Sequence, residues 1–100
     1  MTVDISHRGD ETIYRLRDEA GRRCTLAFDA SHEAQAVWKI MLPGPGGTDD
    51  LYGTHRFEPP DAGHLRAWLA PIVGAGQAAE LVGAVEAQPP AEADWKRQPP

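Results

Sequence analysis

The chain has 100 residues, one cysteine and a net charge of −5, and that is the length of a single domain. An apolar share of 41% and a charged share of 25% are ordinary for a globular domain, so disorder throughout is excluded. One thiol closes no internal disulfide and builds no cysteine-based zinc site, no apolar run reaches the roughly 18–20 residues of a membrane helix, and the acidic balance argues against nucleic acid, whose phosphates are bound by Lys and Arg.

A chain this long buries somewhat over ~60% of the surface its unfolded form exposes, enough to fold without staples. The first residues lack a basic segment followed by an apolar one, so no secretory signal is expected and the default address is the cytoplasm. Eight arginines against two lysines, with fifteen alanines, is the composition of a GC-rich bacterial or phage gene.

Residues 2–7 alternate apolar and polar, with Val3 and Ile5 on one face of a half-buried strand. Arg8, Gly9, Asp10 and Glu11 break the pattern as a turn, for which Gly and Asp have the right dihedral preferences. The Arg-Gly-Asp tripeptide within them is read as turn chemistry rather than an adhesion motif. Residues 12–17 and 23–28 make the clearest hairpin. Tyr14 and Leu16 share one face of its first strand, Cys24, Leu26 and Phe28 one face of its second, and Gly21 supplies the positive φ of the loop.

Asp29 and Ser31 are N-cap candidates. The helix expected after them, over 31–42, sets Ala34, Val37, Trp38 and Met41 on one stripe and is stopped by Pro43. Residues 43–50 form a stiff proline- and glycine-rich loop. A further strand is expected over 51–57, with Leu51, Gly53, His55 and Phe57 on one face and Gly53 marking a bulge or a close approach. Asp61 caps a second helix carrying Leu65, Trp68, Leu69, Ile72 and Val73, with a kink or break near Ala70 caused by Pro71. Gly74, Ala75 and Gly76 are a joint. A third helix over 77–87 presents Ala78, Leu81, Val82 and Val85.

The predicted order is therefore β-β-β-α-β-α-α. It specifies an α+β fold: a small antiparallel sheet with helices packed on one face. Residues 1–88 form the single domain and 89–100 a proline-rich C-terminal tail.

The chemistry-bearing residues assemble into no catalytic constellation. His7, His32, His55 and His64 are never three or four apart, as a helical metal pair would be. His55 and His64 straddle a strand end and a helix start, so with Glu58 or Asp61 they form the one candidate for a metal-dependent or acid–base site. Cys24 falls on a core-facing pattern, where a free thiol acts as a small hydrophobe. The glycines at 44, 46 and 47 follow a helix and lack the Lys of a phosphate loop. Neither Ser6 nor Ser31 sits in a nucleophile elbow. No catalytic residue, cofactor or metal ligand is assigned.

The basic residues are more suggestive. Arg15 and Arg17 point to one sheet face, opposite Tyr14 and Leu16, and Arg22 or Arg23 comes near them across the hairpin. Arginine suits planar recognition of carboxylate or phosphate. Trp95 stands in the tail without an obvious core to join, and Trp and Arg are the favoured anchors of interfaces. Arg15, Arg17, Arg22, Arg23 and Trp95 are thus the candidate partner-binding residues. They point to a small non-enzymatic binding or regulatory module of the inhibitor, immunity or adaptor type. Its partner is another protein, and a homodimer through a sheet edge is the self-associating version.

Overall fold

The computed structural model describes residues 2–17, 23–30, 37–44, 49–55 and 62–90. Five strands precede two helices: β1 (Thr2–Arg8), β2 (Glu11–Arg17), β3 (Arg23–Asp29), β4 (Val37–Pro43), β5 (Asp49–His55), α1 (Ala62–Val73) and α2 (Ala75–Ala87). The strands form one antiparallel sheet in the order β1-β2-β3-β4-β5, each paired with its neighbour in sequence. The α+β class and the one-sided layering agree with the sequence reading.

Alternation along the strands sorts the side chains into two sets. Tyr14 and Leu16 stand opposite Leu26 and Cys24, and Phe28 and Leu26 stand opposite Trp38 and Ile40. These seven side chains are all buried, and with Leu65 and Leu69 of α1 and Ala78, Leu81, Val82 and Val85 of α2 they make one core. The helices pack on each other, and α2 lies against β2 and β1. Two polar contacts pin α2 to the sheet. The Cys24 thiol donates to Gln77 Oε1 at 3.5 Å near its start. The Tyr14 hydroxyl donates to the Gln88 carbonyl at 2.8 Å just past its end.

The element expected to be a helix over 31–42 is corrected. Residues 37–43 are the strand β4, while 31–36, with Ser31 and Ala34, lie outside the described residues. The run is short, and both periods fit it. Val37, Trp38 and Met41 read as a helical stripe, but Trp38 and Ile40 also alternate around Lys39. The strand reading wins because β3 offers Leu26 and Phe28 as partners, and pairing buries Ile40 and Trp38 completely. The Phe28 and Trp38 rings meet with centroids 4.7 Å apart at 56°, a tilted geometry favourable for aromatic pairs. Asp29 is correspondingly not an N-cap: it is the last residue of β3, opposite Val37 and Glu11.

The fifth strand begins two residues earlier than expected, at Asp49 rather than Leu51. Its register with β4 breaks between Ile40 and Met41: Gly53 stands opposite Ile40 but Leu51 opposite Met41, leaving Tyr52 as the extra residue of a bulge. Leu51 and Gly53 therefore do not share a face, contrary to strict alternation, because the inserted residue shifts the phase. Phe57 lies outside the described residues. So do Gly21, Glu58 and Asp61.

Helix α1 runs through Pro71 to Val73, so the break expected near Ala70 falls at Gly74. Pro71 removes only the bond that its N–H would make to the Ala67 carbonyl, and the helix carries on for two residues past it. Gly74 has φ 92 and ψ 150. Its N–H donates to the Ala70 carbonyl and its own carbonyl accepts from Ala78, each at 2.9 Å. One residue thus closes α1 and opens α2.

Candidate functional site

The second side-chain set lies on the face away from the helices. Asp4, Glu11, Ile13, Arg15, Arg17, Thr25, Ala27, Asp29, Val37, Lys39 and Met41 fall there by alternation. An antiparallel sheet commonly leaves one face to solvent, but this one is not uniformly wet. Thr25 and Ala27 are fully buried and Ile13 is 7% exposed. The register explains it. Thr25 has Arg15 on one side and Met41 on the other, and Ala27 has Ile13 and Lys39. The long cross-strand neighbours shade the short Thr25 and Ala27 side chains.

At one end of this face Lys39 Nζ donates to Asp29 Oδ2 at 3.1 Å and to Glu11 Oε2 at 3.4 Å. The three side chains are 19–29% exposed. Partial burial works to lower the Lys39 pKa, but the hydrogen bond and charge of Asp29, with those of Glu11, outweigh it. The ammonium is held above its ordinary range.

At the other end are the arginines. Arg15 and Arg17 are both exposed. Arg15 stands opposite Asp4 in β1 and Thr25 in β3, and Arg17 stands opposite Thr2 and Arg23. Arg23 is placed only by this register, and Arg22 and Trp95 lie outside the described residues. The surface is less purely cationic than the sequence suggests, since Asp4 sits beside Arg15 in the register, and Glu11 is engaged by Lys39.

Two features here escape the sequence reading. Tyr52, on the edge strand β5, is a large hydrophobic side chain left 62% exposed, and its position as a bulge residue depends on the pairing with β4. The Lys39–Asp29–Glu11 cluster depends on β4 being a strand. The signal for the latter was a lysine between Trp38 and Ile40, which a strand turns outward and a helix merely sets on its polar side.

The histidines are placed as follows. His55 ends β5 opposite Trp38. His64 is exposed in the first turn of α1. His7 is exposed on β1, with Nδ1 3.3 Å from the Thr12 hydroxyl. Among the described residues no three His, Cys, Asp or Glu side chains gather as metal ligands. Cys24 is buried in the core, as the strand pattern indicated. No helix among the described residues is long and apolar enough to cross a membrane.

No protein-family model, curated protein or solved structure matches the chain.

Proposed function

We propose that the protein is a small cytoplasmic binding or regulatory module of bacterial or phage origin, of the inhibitor, immunity or adaptor type. Its contact surface is the helix-free face of the sheet. What supports this reading is two exposed arginines, Arg15 and Arg17, on the helix-free face, with the half-buried Met41 on the same face and the exposed Tyr52 on the edge strand. Arginine and tyrosine are enriched at the anchors of protein interfaces, and a guanidinium engages a carboxylate in two parallel hydrogen bonds. The partner that fits is a protein surface presenting carboxylates around an apolar centre.

The test is retention of binding proteins on immobilised full-length chain. Arg15→Glu with Arg17→Glu, and separately Tyr52→Ala, should abolish retention, whereas Glu80→Arg with Glu86→Arg on the exposed side of α2 should leave it intact. Equal retention by all variants, or loss only with the α2 changes, would place the contact elsewhere.

A further inference from the structure

The two edges of the sheet are unlike each other. A free strand edge is a template for another strand, and proteins blunt such edges with bulges, prolines and charges. The β5 edge is blunted: Tyr52 interrupts its register, and the strand begins with two consecutive aspartates, Asp49 and Asp50. The β1 edge is blunted less: all seven of its residues pair with β2 without a shift, it contains no proline, and its two charges, Asp4 and Arg8, are of opposite sign.

The turn decides which backbone groups β1 offers. Gly9 and Asp10 are a two-residue hairpin loop, with Gly9 at φ 62. Such a loop closes on a hydrogen-bonded pair, here Arg8 and Glu11. Hydrogen-bonded and non-hydrogen-bonded pairs alternate from there. The N–H and C=O groups of Ser6 and Asp4 therefore face β2, and those of His7, Ile5 and Val3 face outward.

We propose that a second copy of this chain pairs with β1, antiparallel about Ile5, joining the two sheets into one with a two-fold axis. The claim concerns the sheet edge and does not rest on the open-face reading. The sequence of β1 is self-complementary in this register. Ile5 meets the partner's Ile5, and Val3 meets the partner's His7, using every outward backbone group. Val3 and Ile5 are only half-buried, packed at the margin of the core, and the pairing covers them. On the open face Asp4 meets the partner's Ser6, with the partner's Arg8 on the diagonal, within reach of a long side chain. Symmetry makes that ion pair twice, and the pairing closes on itself, as a two-fold interface must.

Sedimentation of the full chain should give twice the monomer mass of 10.9 kDa. On dilution, the amides of Val3, Ile5 and His7 should lose hydrogen-exchange protection while those of Asp4 and Ser6 keep theirs. Ile5→Pro removes an outward N–H and leaves the β1–β2 ladder its bonds. It should abolish the doubled mass while the circular dichroism of the fold persists. Oxidised Ile5→Cys should form a covalent dimer, because directly opposed residues lie about 5.5 Å apart between Cα atoms, within disulfide range. Tyr52→Cys should not. A monomer at millimolar concentration, crosslinking through Tyr52→Cys alone, or growth past the dimer by joining β1 to β5 would each overturn the proposal.

Discussion

Single residues hold the joints of this molecule. At Gly74 the backbone combines φ 92 with ψ 150, a region essentially closed to residues with a Cβ. Gly74→Ala should cost about 1–3 kcal/mol of stability through backbone strain alone, since an added Cβ would meet no neighbouring atom within 4 Å. Gly83 is the control. It is exposed in the interior of α2 and also has open space at its Cβ, so Gly83→Ala should add about 1 kcal/mol through helix propensity. Paired urea titrations of the two variants would separate backbone strain from propensity. Tyr14 is a second such residue. Its ring is fully buried and its hydroxyl holds the Gln88 carbonyl. Burial pushes the phenol well above its ordinary range. An acid whose pKa is raised by folding keeps its full contribution below the unfolded value near 10, and loses it as pH climbs towards the folded value. Above pH ~10 this one group should progressively lower stability. Tyr14→Phe should lose about 1 kcal/mol at neutral pH with the hydrogen bond and show a shallower fall in urea midpoint between pH 9 and 11.5.

At the scale of elements, β4 is the instructive case. Its inner face is Trp38 and Ile40 and its outer face Val37, Lys39 and Met41. A helix through the same residues would instead favour Met41 as a core residue. Mutation distinguishes the two arrangements. Ile40→Ala should cost about 2–5 kcal/mol, as removal of a buried side chain does. Met41→Ala should cost about 1 kcal/mol or less, as at a partly exposed site. A reversed order in thermal or denaturant unfolding would count against the strand register. The sequence pattern was sufficient for β1, β2, β3, α1 and α2, where one periodicity stands alone. Tyr14, Leu16, Cys24, Leu26 and Phe28 alternate over lengths no helix pattern matches. Leu65, Trp68, Leu69 and Ile72, and likewise Ala78, Leu81, Val82 and Val85, recur at i, i+3, i+4 and i+7 as no strand would. It was insufficient for β4, where six apolar or amphipathic residues satisfy both periods, and for the phase of β5, where one bulge residue reverses the faces of everything beyond it.

For the whole molecule, the sheet is a meander in which β2, β3 and β4 are flanked on both sides and β1 and β5 on one. Hydrogen exchange should therefore be slowest in the central strands, whose residues Leu16, Leu26 and Ile40 are fully buried, and fastest among the strands at the bulged edge around Tyr52. Exchange of β5 as slow as that of β3 would show an edge covered by another element or chain.

The sequence by itself determined the class, the one-sided layering, most of the core and the direction in which Arg15 and Arg17 project. Each follows from a local periodicity, and a period of two or of 3.6 assigns a side chain to a face without reference to any distant residue. Tertiary structure alone decided the rest. Whether residues 37–43 became strand or helix depended on β3 having an unpaired edge. Whether Lys39 met Asp29 and Glu11 depended on that choice in turn. Which edge of the sheet stayed open depended on a bulge that exists only in the pairing of β5 with β4. These are properties of registers, and a register is set by which strand lies alongside which.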